Sequence, residues 1–415
     1  MSITDMIDAS VEREFPRLLA LLTALVRTPS DNPPGDCATH AEIACRELSQ
    51  LDFVVERHAV PSAAVHASGM ISATNLIVRR KFGEGPTIAL NAHGDVVPPG
   101  LGWTHDPYGA QVEEGPQGPT MYGRGVAVSK SDFATYAGAL LALDAVAAAG
   151  ETLAGTVELH FTYDEETGGT IGPQWILEHG LSKPDFAICA GFSYGVVTAH
   201  NGCLHLEVTV TGKQAHAAMP ETGIDALETA TAIMAALYEK RRQLSNTRSG
   251  VAGIVSPTLN IGLISGGINT NVVPDRVTFR LDRRIIPEEN PSEVEDELRA
   301  LIVDASRAPS GAQIDVRRIL LATPLAPLAG GEKLSAALRR QAARVFATEI
   351  PEQGVPIYTD ARHYAARGIP TVLYGAGPRT LLEANGHNAE ENLRLDDLKG
   401  ATKVVAAALA ELLRP

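Results

Sequence analysis

Short, wholly apolar runs, each closed by turn residues, are the feature that most narrows what this chain can fold into. They lie at "TIALNAHGD" (87–95), "GTVELHFTYDEE" (155–166), "DFAICAG" (185–191) and "TVLYGAG" (371–377). Between them come Ala- and Leu-rich stretches of helical length, such as "YAGALLALDAVAAAG" (136–150). A strand that is apolar on both faces must be covered on both faces, which predicts an α/β fold around a mostly parallel sheet. In such a sheet ligands gather where strands end and loops begin.

The middle of the chain has a different rhythm. "CLHLEVTVTG" (203–212) alternates as a half-buried strand, "DALETATAIMAALYEKRRQL" (225–244) is helical, and "TLNIGLIS" (258–265) and "RVTFRLDRRI" (276–285) are strands. "PSEVEDELRALIVDAS" (291–306) is a second helix and "AQIDVRRILL" (312–321) a last strand. The order βαββαβ is that of a ferredoxin-like unit. The expected organisation is therefore a first domain over 1–201 and 319–415, interrupted by an inserted domain over 202–318. A length of 415 residues agrees with two cores rather than one.

Charge and composition exclude several partners. With 35 Lys plus Arg against 49 Asp plus Glu, the net charge is −14, which argues against a nucleic-acid backbone or an anionic membrane and for a small-molecule ligand. The apolar run "FPRLLALLTALV" (15–26) is too short for the roughly 20 residues of a membrane span and reads as a core-facing helix. The amino terminus resembles no signal or transit peptide, and a cytoplasmic location is expected. Cys37, Cys45, Cys189 and Cys203 lack the paired short spacings of a zinc knot and are expected as reduced thiols.

Chemistry-bearing residues fall at the ends of the apolar runs. His93 and Asp95 stand two apart, so in an extended chain both leave the same face, and a carboxylate orienting an imidazole ligand suits that spacing as well as a simple strand-end turn does. Asp164, Glu165 and Glu166 follow one another before two glycines. Three adjacent carboxylates repel unless a cation or solvent relieves them. Because neighbouring side chains at a strand end diverge, one glutamate can bind metal while the other acts on water as general base; a solvated acidic loop is the alternative. His387 follows a Gly turn ahead of the last helix, and His216, Asn271 and Arg284 lie in the inserted segment.

Together the segments "LNAHGDVVPPGLGWTHDPYGA", "YGRG", "DEETGG", "GKQAHAAMP", "GGINTNVVPD", "TDARHYAARGIPTVLYGAGP" and "GHNAEENL" resemble the M20 family of metallo-amidohydrolases, in order and over nearly the whole length. That family includes aminoacylases, desuccinylases, deacetylases and glutamate-releasing carboxypeptidases. The resemblance implies a zinc-type catalytic domain in which His93 is a ligand with Asp95 as its partner, Glu165 the general base, and Glu166 and His387 further ligands. It also implies a homodimer formed through the inserted domain, with His216 reaching a second copy's active site to stabilise the tetrahedral intermediate. Asn271 and Arg284 match positions that hold the substrate's carboxylate or carbonyl oxygen.

The pattern breaks at two places. The family's G-R-G-x-x-D-x-K-G has an Asp that bridges two metals, and here that position is Val128; a further Glu or Asp expected after "PDFAICA" falls at Gly191. Both losses fall on the metal held by His93, so one divalent metal per chain (Zn, Mn, Co or Ni) is expected rather than two. The surviving site is the one built on Glu166 and His387, to be completed by Asp132, by a shifted His93 or by the substrate. Asp132 lies four residues past Val128, about 6 Å along a helix, and also suits a helix N-cap.

The expected activity is metal-dependent cleavage of an amide or related C–N bond of a small, carboxylate-bearing substrate, with Glu165 as base. A non-catalytic small-molecule-binding protein of the same fold is the alternative. A third reading, a serine hydrolase, rests on Gly191-Phe192-Ser193-Tyr194-Gly195, but a nucleophile elbow must lead into a helix and "VVTAHNG" (196–202) does not. Ser193 is then expected to touch substrate.

Overall fold

The computed structural model describes residues 1–116, 118–307, 311–380 and 382–415. Its strands in chain order are β1 (Val55–Ala59), β2 (Thr74–Lys81), β3 (Thr87–His93), β4 (Gln111–Gly115), β5 (Gly118–Tyr122), β6 (Thr156–Thr162), β7 (Phe186–Cys189) and β8 (Val196–His200). They continue with β9 (Gly202–Thr211), β10 (Thr258–Gly266), β11 (Arg276–Ile285), β12 (Gln313–Ala322), β13 (Glu352–Val355), β14 (Thr371–Leu373) and β15 (Asn392–Arg394).

Eight of them form one sheet in the order β1-β2-β6-β3-β7-β14-β8-β13. Its four central strands, β6, β3, β7 and β14, are the four apolar runs of the sequence, and each pairs in parallel with its neighbour. Antiparallel pairs flank this centre at β1–β2, β2–β6 and β14–β8. Residues such as Leu90, Leu159 and Ile188 are fully buried because helices cover the sheet. The helix Lys130–Ala148 buries almost all of its first three turns, and Ile3–Arg27 lays Leu18, Leu21, Leu22 and Leu25 into the same core. The amino-terminal apolar run is thus part of a 25-residue amphipathic helix that starts at a capping box of Ser2 and Asp5. Among the described residues no helix is long and apolar enough to cross a membrane.

The chain divides into two compact units, one of residues 1–198, 327–353 and 359–415, the other of 199–326 and 354–358. The second is a four-stranded antiparallel sheet in the order β10-β11-β9-β12 with the helices Ala226–Leu244 and Pro291–Ala305, the strand order of a ferredoxin-like unit. Leu204, Leu206, Val208 and Val210 alternate onto the helix-covered face, which explains the period of two in the sequence. The expected limits 202 and 318 are too narrow. β12 runs on to Ala322, where it pairs with Cys203, and 354–358 joins the unit through Asn201 donating to the Val355 carbonyl.

Candidate functional site

β3 and β6 lie side by side in parallel, with His93 opposite Thr162, so the residues that follow each strand emerge at the same sheet edge. Asp95 organises that edge. Its carboxylate accepts the backbone N–H of Glu165 at 3.2 Å and of Glu166 at 3.1 Å, and the Asn32 side-chain amide at 2.9 Å. His93 turns Nδ1 to the Asp95 carbonyl at 2.9 Å, with the Asp95 carboxylate 3.4 Å away. A proton held on Nδ1 by those oxygens leaves Nε2 with a lone pair for a cation.

His93, Glu165 and Glu166 each present a ligand atom, all within 4.8 Å of one another. His387 Nε2 stands 3.5 Å from Glu166 Oε1, an oxygen that is buried and has no hydrogen-bond partner among the described residues. His387 is half exposed and adopts a left-handed backbone, φ 64°. Asp164 and Asp360 are buried nearby, each with one oxygen similarly unpartnered. Their backing is tight. A Cβ on Gly169 would come within 2.2 Å of Asp360 Oδ1, and φ there is +65°, so the second glycine of "DEETGG" is a steric requirement. Arg362 and His363 both donate to the Gly168 carbonyl and pin the turn from behind.

The electrostatics of the group suit a bound cation. Burial, then His93 in opposition and Glu166 and Asp95 in support, pushes Glu165 up to about 7. Burial and Asp95 push Asp164 up to about 7, and burial with Glu165 and Asp164 drives Asp360 well above the usual carboxylate range. Burial opposes a charge on His93, but Asp95 and the glutamates outweigh it and hold its pKa well up. Glu166 raises that of His387. Carboxylates so crowded, with an unpartnered oxygen on each of Glu166, Asp164 and Asp360, fit a bound divalent ion.

The two departures from the expected ligand pattern have structural counterparts. The loop carrying Val128 is strapped by Glu391, which receives the backbone N–H of Ala127 at 3.0 Å and of Val128 at 3.1 Å and pairs with buried Arg124 at 2.6 Å. Sequence reasoning missed Glu391 because "HNAEENL" gives no sign of which acid turns inward. At Gly191 a Cβ would meet the Tyr374 nitrogen at 2.8 Å and the Leu373 carbonyl carbon at 2.9 Å. Gly191 instead accepts the Gly377 N–H at 2.9 Å, so the end of β14 closes the place where a side chain would project.

Two expectations are corrected here. Asp132 is not the helix cap: Ser129 occupies the N-cap position, and Asp132 lies buried in the first turn, accepting the Ala376 N–H at 2.7 Å and a backbone bond from Gly191. Nor does it join His93, Glu165 and Glu166 in the group able to share an ion. Burial pushes its pKa up to about 7. Ser193 is fully buried and its hydroxyl donates to the Gly375 carbonyl at 3.0 Å, so it is engaged by the backbone rather than by a catalytic base. Strand β8 follows it rather than a helix, which removes the serine-hydrolase reading.

The remaining expected residues belong to the inserted unit. His216 is exposed in a segment bridged to Val272, and Ala217 donates to the Asn271 carbonyl at 3.0 Å, so His216 and Asn271 share one loop pair. Arg284 lies on β11, where Nε donates to Asp282 at 3.0 Å and the guanidinium sits 5.9 Å from the Tyr358 ring centroid.

Imidazole and carboxylate donors at the ends of parallel strands, with a second glutamate beside them, are the equipment of a metal-using hydrolase. Residues 89–411 match the model of Peptidase family M20/M25/M40, and the chain belongs to that family. It is 28% identical over 406 residues to a succinyl-diaminopimelate desuccinylase of Gluconacetobacter diazotrophicus, covering 95% of this chain and 97% of the relative. It is 27% identical over 319 residues to aminoacylase-1 of Mus musculus, covering 73% and 74%. Among solved structures, an M20 family metallo-carboxypeptidase from Sulfolobus solfataricus has a TM-score of 0.75 at 18% identity, covering 95% and 98%. A dinuclear metal-binding M20 peptidase of Bacillus subtilis has a TM-score of 0.69 at 19% identity, covering 97% and 99%.

Proposed function

We propose that this chain hydrolyses an amide or related C–N bond of a small, carboxylate-bearing substrate, using one divalent cation held by Glu166, His387 and His93. The observation that carries the reading is the convergence of His93, Glu165 and Glu166 at the joint edge of β3 and β6. A bound cation there supplies Lewis-acid polarisation of the scissile carbonyl and eases deprotonation of water. Glu165 takes the proton from the attacking water and passes it to the leaving nitrogen, the work of a general base that becomes a general acid. Asp95 fixes His93 and, through two backbone amides, the spacing of the glutamates. The relatives reported above, a succinyl-diaminopimelate desuccinylase and an aminoacylase, support a small acylated amine as substrate.

Several finer points belong to the same proposal. Zinc is the favoured ion, with Mn, Co and Ni also suited to imidazole and carboxylate. A single ion is favoured because Val128 and Gly191 supply no carboxylate and Asp132 is engaged by backbone amides. The inserted unit pairs two copies of the chain in the cytoplasm and brings His216 to the second copy's reaction centre, while Asn271 and Arg284 bind the substrate's oxygens. The closed Gly191 edge favours one second reading, a binding protein that keeps the fold without turnover.

Metal content and hydrolysis of a panel of N-acyl amino acids, measured before and after chelation and with Glu165→Gln, test the proposal. A metal-bound protein whose activity is lost on chelation and in the variant supports it. Substrate binding without turnover, at full metal loading, supports the binding protein instead.

A further inference from the structure

The inserted unit carries a second convergence of ligand atoms that the hydrolytic reading does not use. Cys203 and His205 are two apart on β9 and so leave the same face of the sheet. On β11 the residue directly opposite His205 is Asp282. Cross-strand partners and their diagonal neighbours are within side-chain reach, so the antiparallel register alone brings thiol, imidazole and carboxylate together. This is the face turned away from the helices, since Leu204 and Leu206 take the other.

The three atoms form a small triangle. Cys203 Sγ lies 3.2 Å from His205 Nε2 and 3.6 Å from Asp282 Oδ2, and His205 Nε2 lies 2.8 Å from the same Oδ2. Asp282 Oδ2 can accept both the Cys203 S–H and a proton on His205 Nε2, so hydrogen bonds hold the three atoms together when the thiol is protonated, and a thiolate turns the same three atoms into a ligand set. A point about 1 Å above the triangle is about 2.1 Å from all three atoms, close to the roughly 2.0–2.3 Å of zinc bonds to nitrogen, oxygen and sulfur.

The surroundings favour a cation at this place. Next along the face, Glu207 is already neutralised by Arg280 and Arg317, each 2.8 Å away. Asp282 is different: Arg284 occupies Oδ1 at 3.0 Å, and Oδ2 points to the thiol and the imidazole. Cys203 is buried, while the side chains of His205 and Asp282 are about one-third exposed and leave a way in. A mixed thiolate, imidazole and carboxylate set selects zinc or cobalt over magnesium or manganese.

We propose that Cys203, His205 and Asp282 form a second metal site, for a thiophilic divalent cation such as zinc, with a fourth position open. The proposal is independent of the hydrolytic one, because no cysteine lies among His93, Glu165, Glu166 and His387. Full-length protein, stripped of metal and titrated with cobalt(II), tests it. The expected result is a near-ultraviolet thiolate-to-cobalt charge-transfer band that is absent in Cys203→Ser and retained in Glu166→Gln. His205→Gln and Asp282→Asn, which keep the thiol, are expected to weaken cobalt binding at this band by more than about tenfold and serve if Cys203→Ser fails to fold. No band in the wild type, an undiminished band in folded Cys203→Ser, or unchanged affinity in both other variants overturns the proposal.

Discussion

At the end of β6 three carboxylates come from consecutive residues, and a turn divides their duties; on the inserted sheet three donors come from two strands, and only the register unites them. The first group is enclosed and crowded with like charge, and burial raises the pKa of Glu165 and of Asp164. The second is half open and balanced. Burial opposes charge on Asp282, but His205 and Arg284 prevail and hold its carboxyl below the usual range. The difference teaches that a cluster of acids beyond a buried strand depends on a cation to relieve it, whereas a cluster on an open sheet face is relieved by its neighbours and merely accepts one.

The largest expected effect separates chemistry from metal binding within the first group. Glu165→Gln is expected to lower kcat/KM by about 10²- to 10⁴-fold, the usual worth of a placed general base, with metal content unchanged. Activity within tenfold of wild type would remove Glu165 from that role.

His387→Ala is expected to release metal from the strand-end site, seen as a lower metal-to-protein ratio after dialysis, while the cobalt–thiolate band of the sheet face persists. Loss of both together would mean that the two regions are not independent sites.

Gly169→Ala probes the backing of the acid loop. Its left-handed backbone and the 2.2 Å approach of Asp360 predict a loss of about 1–3 kcal/mol in denaturant unfolding. A change within about 0.5 kcal/mol would show that the turn yields easily.

A smaller effect concerns the polar layer beneath that loop. His40 is buried with Nδ1 3.1 Å from the Tyr163 hydroxyl, near Phe133 and the charge of Lys130, and burial followed by Lys130 holds its pKa well below 6.5. A histidine depressed in the folded state contributes stability that is present above the unfolded value of 6.5 and is lost as pH falls toward the folded one. Unfolding free energy is therefore expected to fall by up to about 1.4 kcal/mol per pH unit below 6.5, and the slope to flatten in His40→Phe. Trp103 and Trp175, the only tryptophans, both lie in the first unit, so their fluorescence reports the unit in question. An identical slope in the variant would assign the effect to other groups.

The smallest expected change is in Asp132→Asn, because its partners are backbone amides that an Asn oxygen also satisfies. Metal content should match wild type by elemental analysis. A loss of metal would make Asp132 a ligand after all.

Much of the fold was legible because its signals are local. A strand buried on both faces must be apolar throughout, so the four central strands announced themselves, and period-two alternation with two amphipathic helices announced the inserted unit. The acid loop was legible for a related reason, since "DEETGG" places its carboxylates and its obligatory glycine side by side in the chain. Asp132 and Ser193 were misjudged because the peptide groups they meet, at Ala376 and Gly375, are some two hundred residues away.

Chain neighbours alone therefore dictated the strands, the helices and the presence of Glu165 and Glu166 at a strand end. Tertiary structure decided that β14 closes the space beside Gly191, that Glu391 straps the Val128 loop, and that Cys203 meets Asp282. Periodicity and turn chemistry act over a few residues and are written in composition. Register and burial arise only when distant segments pack, and a side chain's partner is then chosen by geometry that no short stretch contains.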